Sequence, residues 1–248
     1  MKNHLAAVIA LMLAGFIPLP EGRVMIFMVG DSTMADKPTE DNPERGWGQL
    51  FREFFDSTVT IENHAMNGRS TRSFIAEGRW QTVIEKVRTG DYVFIQFGHN
   101  DEKKEKTDRY TPPEDYRKNL MRFVGEARER GGNPVLCTPI VRRRFGKEGK
   151  FYDEHGVYPG IVRDLADSLK VPLIDMHRMS WHMIEALGSE ASKKVYFWIR
   201  PGEYRSLPEG RQDDTHFSEY GAREMARLAV EGLMDLKLGL ENHLKKGQ

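Results

Sequence analysis

The residues of this chain that could do chemistry fall into a few short stretches. Ser32 follows a glycine and an aspartate in "VMIFMVGDSTMADK", His216 stands three residues after Asp213 in "DDTHFSEYG", and Asn100 sits in "FIQFGHND". A serine hydroxyl is a poor nucleophile at neutral pH and needs a base to take its proton as it attacks. A carboxylate three residues ahead of an imidazole can curl back within one turn and accept the ring's Nδ1–H, which leaves Nε2 free to be that base. The Asn100 amide can donate an N–H to the oxyanion that such an attack creates, and Gly68 in "NHAMNGRSTRSF" can offer it an unencumbered backbone N–H. Each residue also has a plainer use. Ser32 can cap a helix, Asn100 can close an Asx turn, and His216 can bond backbone at a helix start while Asp213 serves as loop polarity.

The elements that would carry these residues alternate. The runs "VMIFMVG", "TVTIEN", "DYVFIQFG", "NPVLCTPI" and "VPLIDM" read as buried strands. Between and after them, "GWGQLFREFFDS", "SFIAEGRWQTVIEKVRTG", "PPEDYRKNLMRFVGEARERGG", "GVYPGIVRDLADSLK" and "SEYGAREMARLAVEGLMDLKLG" read as helices, with glycine or proline at several ends and a serine cap on the last. Five buried strands separated by helices predict a five-stranded parallel sheet covered on both faces, a three-layer α/β/α sandwich of the flavodoxin-like kind. In such sheets functional groups collect at the carboxyl ends of the strands. Ser32, Gly68 and Asn100 all stand just past such ends, and the Asp213–His216 pair precedes the last helix. That convergence weighs against the plainer uses taken one by one.

Composition bounds the rest. The 248 residues, 39% hydrophobic and 30% charged, suffice for one globular domain with a sizeable core. Lys plus Arg and Asp plus Glu are each 37, so a formal charge of zero gives no global attraction to nucleic acid or an anionic membrane. The one cysteine, Cys137, excludes a disulfide framework and a Cys-based metal site, and its apolar run marks it as core rather than as a catalytic thiol. His64, His177 and His182 lack carboxylate or histidine partners at metal-ligand spacing, so no metal and no cofactor is expected. Residues 1–20, with Lys2 ahead of an apolar run from Leu5 to Ile17, read as a signal peptide for a secreted or periplasmic protein. The remaining chain, residues 22–248, reads as a single domain. A structured N-terminal strand or helix is the competing reading of that apolar run.

"GDST", the glycine of "NGRS", "GHND" and "DDTH" resemble the four ordered blocks of the SGNH (GDSL-type) hydrolase superfamily. With their flanks, and with "TPIVRRRF", they are similar to the rhamnogalacturonan acetylesterase family of carbohydrate esterases over almost all of residues 24–232. The resemblance implies Ser32 as nucleophile, His216 as general base and then acid, and Asp213 as the residue that orients His216. It implies an oxyanion hole from the backbone N–H groups of Ser32 and Gly68 and the Asn100 amide. Asp214 is a second acid beside Asp213, and only the three-residue spacing and the family pattern favour Asp213. No G-x-S-x-G nucleophile elbow occurs.

The implied substrate is an acetylated polysaccharide or oligosaccharide, most simply pectic rhamnogalacturonan, with acetylxylan, other acetylated sugars or another small ester as the alternative. Arg142, Arg143 and Arg144 follow the fourth strand, and Arg69 and Arg72 lie in the second block. Guanidinium groups there suit the carboxylates of a polyuronide, although a charged run is also a common solvated loop. Trp181, Trp198 and Tyr204 could stack on sugar rings or simply pack. His155 reads as structural or substrate-contacting. A binding module that holds phosphate on the N–H groups of a helix after "GDST" is the reading from another class. It leaves "GHND" and "DDTH" without a role.

Overall fold

A computed structural model describes residues 23–246; the proposed signal peptide, residues 1–20, lies outside them. Five parallel strands, β1 (Val24–Gly30), β3 (Val59–Asn63), β4 (Tyr92–Gln96), β5 (Asn133–Cys137) and β6 (Leu173–Ile174), form one sheet in the order β3-β1-β4-β5-β6. Strand order therefore reverses at β1, and the crevice beside the carboxyl ends of β1 and β4 is where open α/β sheets bind ligands.

Side-chain alternation along the strands fills both faces. Ile26 and Met28 of β1 with Phe94 of β4 join one buried cluster, which also holds Trp47 and Phe51 of α1 (Trp47–Phe51), Ile184 of α6 (Met176–Ala191) and Met225 of α7 (Glu219–Leu236). Phe27 and Val29 of β1 with Val93 and Ile95 of β4 point the other way. They meet Phe74 of α2 (Thr71–Ala76), Trp80 of α3 (Arg79–Ile84), Phe123 of α4 (Pro113–Glu129) and Leu165 of α5 (Tyr158–Leu169). Cys137 lies in the first cluster, 1% exposed, and burial pushes its thiol up.

Three features depart from the sequence reading. The run from Ser73 to Gly90 is two helices, because Gly78 adopts a left-handed conformation (φ 70°) between them. Helix α6 was not anticipated, although Met176, Met179, Met183, Ile184 and Leu187 recur at helical spacing and Asp175 caps it by accepting from the Arg178 N–H. The largest departure is a second, antiparallel sheet of order β2-β8-β7, made of β2 (Glu44–Arg45), β7 (Tyr196–Ile199) and β8 (Arg211–Ser218). The stretch "DDTHF", expected before the last helix without regular structure, lies on β8. Its polar residues hide the strand from a hydrophobicity pattern.

Candidate active site

Ser32 sits in a turn that glycine makes possible. A Cβ at Gly30 would lie 2.6 Å from the backbone oxygen of Gln96 on β4, so only glycine lets the two strands stay this close at their ends. Beyond it, the Asp31 carbonyl accepts from the N–H groups of Met34 and Ala35, and the Asp31 carboxylate accepts from the Thr33 N–H (3.0 Å) and hydroxyl (2.8 Å). Below, the buried Gln96 side chain accepts from the Trp47 indole N–H (2.8 Å) and donates to the Thr138 carbonyl (3.1 Å). The turn is thus tied to the sheet on the side away from solvent. No helix begins at Ser32: the next one starts at Trp47 behind Gly46, which gives it no side-chain cap. The helix-cap reading of Ser32 and the phosphate-on-a-helix reading both lack the helix they require.

The Ser32 hydroxyl instead lies 2.9 Å from Nε2 of His216, whose Nδ1 lies 2.9 Å from Oδ2 of Asp213. The other Asp213 oxygen accepts from the backbone N–H groups of Thr215 (2.9 Å) and His216 (3.0 Å). The bond to a carboxylate puts the His216 proton on Nδ1 and leaves the Nε2 lone pair for the serine. Burial alone would raise the Asp213 carboxyl. The bond to and charge of His216, with the two backbone donors, outweigh it and hold Asp213 well below the usual carboxylate range.

The strand makes this three-residue reach possible by a bulge. Tyr196 pairs with Phe217 and the next residue, Phe197, pairs with Asp213, so residues 214–216 have no partner on β7. A regular strand would keep residues three apart on opposite faces; the bulge folds them into one loop and re-aims the imidazole. The same bulge separates the two acids. Asp214 points away and accepts from Arg143 (2.9 Å), Arg144 (3.1 Å) and the Trp198 indole N–H (2.9 Å).

Ser32, Gly68, Asn100, Asp213 and His216 line one cleft of about 420 Å³. Gly68 has φ 77°, and a Cβ there would meet the Arg109 guanidinium at 3.1 Å, so glycine is the residue that keeps this wall open. The Asn100 amide donates one N–H to the Arg69 carbonyl (3.0 Å), which fixes its plane and leaves the second N–H for a ligand. Arrangements of this kind can transfer an acyl group: a hydroxyl beside a base, with N–H donors on the wall where negative charge would develop.

The arginines divide differently from the expectation. Arg142 and Arg143 are only 7% and 8% exposed. Arg142 pairs with Glu102 and donates to the His99 carbonyl, and Arg143 donates to the Ser189 carbonyl, the Ser192 hydroxyl and Asp214. These contacts tie both side chains into the protein, and neither lines the cleft at Ser32. Arg144 pairs with Glu154 and Asp214 beside a separate cavity. Arg69 pairs with Glu77 beside Gly68 in a hollow adjoining the cleft, and Arg72 donates to the Thr107 and Tyr110 carbonyls.

The cations that do line the cleft, Lys37, Lys103, Arg109 and Arg211, went unremarked because they are scattered through the sequence. Lys37 pairs with Glu44, Arg109 with Asp108 and Arg211 with Asp213, whereas Lys103 has no ion-pair partner among the described residues. Its pKa is lowered by burial and by the nearby Arg142.

The remaining candidates are structural in geometry. His155 is buried with Nδ1 2.7 Å from Glu102 and Nε2 2.8 Å from the Ile140 carbonyl, so both nitrogens are occupied. His64 and His177 each have one carboxylate neighbour, Glu62 at 3.0 Å and Asp153 at 3.2 Å. No group of three or more His, Cys, Asp or Glu able to hold a metal occurs among the described residues. Trp181 packs on Phe151, and the Arg143 guanidinium lies over Trp198.

The model of the GDSL-like Lipase/Acylhydrolase family matches residues 28–224. The rhamnogalacturonan acetylesterase RhgT of Bacillus subtilis (strain 168) is 42% identical over 221 residues, covering 89% of this chain and 94% of that protein. The probable rhamnogalacturonan acetylesterase YesY of the same organism is 34% identical over 222 residues, covering 89% and 97%. Among solved structures, the YxiM protein of Bacillus subtilis superposes with a TM-score of 0.74 at 24% identity, over 87% of this chain and 57% of that one. The acetylxylan esterase Axe2 of Geobacillus stearothermophilus superposes with a TM-score of 0.62 at 17% identity, over 86% and 94%. At such identities the two superpositions speak for the fold alone. The family match over most of the chain and the two relatives aligned nearly end to end show that this chain belongs to the GDSL-like lipase/acylhydrolase family.

Proposed function

We propose that the protein is a serine acetylesterase that removes acetyl groups from plant cell-wall polysaccharide, with pectic rhamnogalacturonan as its substrate. The observation that carries the chemistry is the continuous chain Ser32 Oγ, His216 Nε2, His216 Nδ1, Asp213 Oδ2 with both links at 2.9 Å, opening on a cleft lined by Gly68 and Asn100. In this reading Ser32 attacks the ester carbonyl as Nε2 takes its proton. The backbone N–H groups of Ser32 and Gly68 and the free Asn100 N–H hold the oxyanion. The protonated His216 then gives its proton to the departing sugar hydroxyl, and water, deprotonated by the same nitrogen, releases acetate and restores Ser32.

The choice of substrate is supported by the two rhamnogalacturonan acetylesterase relatives and by the cleft's own charge. Lys103 and Arg109 beside Ser32, and Arg69 in the adjoining hollow, suit the carboxylates of a uronate-containing chain better than a neutral xylan. The test is acetate release from acetylated rhamnogalacturonan, acetylxylan and an aryl acetate, for the parent and Ser32→Ala. Release fastest on the pectic polymer and abolished in the variant is the expected result. Fastest release from acetylxylan would discard the pectic assignment, and release that survives the substitution would discard the serine mechanism. Export through residues 1–20 is part of the same reading; no helix among the described residues is long and apolar enough to cross a membrane. It is tested by sequencing the N-terminus of protein recovered outside the cell.

A further inference from the structure

The charges around the cleft pair off with one exception. Lys37 lies 2.7 Å from Glu44, Arg109 3.1 Å from Asp108 and Arg211 3.1 Å from Asp213. The anions behind the wall are satisfied too: Asp31 lies 3.2 Å from His99, and Glu102 pairs with Arg142 and lies 2.7 Å from His155. Lys103 lines the same cleft as Ser32 and Asn100, and its ammonium has neither an ion-pair partner nor a hydrogen bond among the described residues. The turn after Asn100 puts it there. The Lys103 N–H donates to the Asn100 carbonyl (3.3 Å), and the Lys103 carbonyl accepts from the Lys106 N–H (2.9 Å), so the side chain is anchored beside the residue whose amide faces the oxyanion. The ammonium is open to a ligand. Among the described residues, the sealed side-chain nitrogens and oxygens without a partner are His99 Nε2, Asp101 Oδ2 and His177 Nε2, and the half-buried Lys103 contributes none.

A half-buried ammonium without a counter-ion lacks both water and opposite charge. Burial and the Arg142 and Arg109 guanidinium groups disfavour its charged form, and Asp31 and Glu102 offset them only in part. A carboxylate arriving from solvent supplies the missing charge and accepts charge-assisted hydrogen bonds, which a hydroxyl or a methyl ester matches only weakly. The acetyl group cannot play this part, because it is neutral and its carbonyl oxygen goes to the oxyanion donors in the proposed reaction. The anion must come from another part of the substrate, held while the ester lies at Ser32. We infer that Lys103 is a specificity-determining residue, which pairs with a free uronate carboxylate of the polysaccharide close to the acetylated sugar. The inference rests on the pectic esterase reading and deepens it: the enzyme then reads the ionised state of the uronate as well as the ester. Where those carboxylates are masked as methyl esters, hydrolysis of the methyl esters is the class of reaction that must come first.

The test compares kcat/KM on an acetylated rhamnogalacturonan oligosaccharide with that on the same oligosaccharide after methyl esterification of its uronates. The parent is expected to favour the free acid about 10- to 100-fold, since the methyl ester removes the charge and leaves the ammonium unpaired. Lys103→Met keeps the length of the stem without the charge. It is expected to bring that ratio to within about threefold of unity whatever happens to the absolute rates, because the other cations of the cleft are already paired. Lys103→Arg, which keeps the charge, is expected to restore most of the preference. A parent that hydrolyses both forms equally overturns the inference even if the variants do not fold, and so does a Lys103→Met protein that keeps the parent ratio. Acetate, the product, is the other carboxylate in the reaction. Unacetylated rhamnogalacturonan oligomer is expected to inhibit aryl acetate hydrolysis by the parent more strongly than equimolar acetate does, and to lose that advantage in Lys103→Met; inhibition by acetate alone would assign the ammonium to product and overturn the inference. Ser32→Ala run alongside separates the premises. Absence of Ser32-dependent release from both pectic forms defeats the substrate reading, whereas Ser32-dependent release without a charge preference defeats only this inference.

Discussion

Two Asp–His pairs flank the turn that carries Ser32, one lining the cleft and one buried behind it apart from a sliver of His99, and their surroundings differ. In Asp213–His216 the imidazole is 27% exposed, rides on a bulge of a small antiparallel sheet, and has its Nε2 against Ser32. In Asp31–His99 the imidazole is 2% exposed, sits at the ends of the central parallel strands, and has a buried Nε2 with no hydrogen-bond partner among the described residues. Both aspartates are held ionised by their partners. The difference lies in solvent. A base must carry a positive charge for part of each cycle, which the partly hydrated His216 can do and the buried His99 resists. Identical residue types are therefore suited to different tasks, a proton carrier in the proposed reaction and a buried neutral ring, according to burial and to what lies against Nε2.

The sharpest way to break this contrast is at the nucleophile. Ser32→Ala is expected to lower kcat on the order of 10⁴-fold or more, read as acetate release under saturating substrate. Next come the aspartates, compared directly. Asp213→Asn is expected to lower kcat about 10⁴-fold by freeing the wrong His216 tautomer, and Asp31→Asn only about 10- to 100-fold through weaker holding of His99. Equal losses would mean that the two pairs are not functionally distinct. Asn100→Ala is expected to cost about 10²- to 10³-fold in kcat with little change in KM, because its free N–H matters only once the oxyanion forms; a loss confined to KM would move Asn100 from the oxyanion to substrate binding.

Asp214→Asn tests the bulge. It is expected to leave kcat within about threefold while lowering stability by about 1–3 kcal/mol in chemical denaturation, since Arg143 and Arg144 lose the negative charge between them and one of its two acceptor oxygens. A loss of activity as large as that of Asp213→Asn would mean the wrong acid has been placed behind His216. The smallest effect concerns the buried side of the comparison. Burial raises the Asp101 carboxyl from its ordinary 3.8 to about 7, against the opposing bonds from Thr71. The folded protein then keeps a proton that the unfolded chain releases, so this contribution to stability is complete below pH 3.8 and declines as pH rises towards about 7. Asp31 and Asp213, lowered on folding, act in the opposite sense, and their contribution is lost as pH falls below the usual carboxylate range. Thermal melts of the parent and Asp101→Asn are expected to differ in slope between pH 4 and 7, with the flatter profile in the variant; parallel profiles would show that Asp101 is ionised throughout.

The sequence by itself determined the five parallel strands, since each is a short apolar run whose alternate residues feed opposite faces, as Ile26 and Phe27 do. It also pointed to Ser32, Gly68, Asn100, Asp213 and His216, because strand-end position and three-residue spacing are local properties. Only the tertiary structure decided the rest. The antiparallel sheet under Asp213 and His216 pairs residues far apart in the chain, and the polar stretch "RQDDTHFS" carries no alternation to announce it. The run "RRRF" looked like a surface for anions until its first two arginines were seen to be buried on Glu102, Ser189 and Asp214. The Asp31–His99 bond joins residues 68 positions apart. Charge, burial and partner all depend on what a residue meets across the fold, and these long-range contacts separate a histidine set against a serine hydroxyl from one buried beside it without a partner for its Nε2.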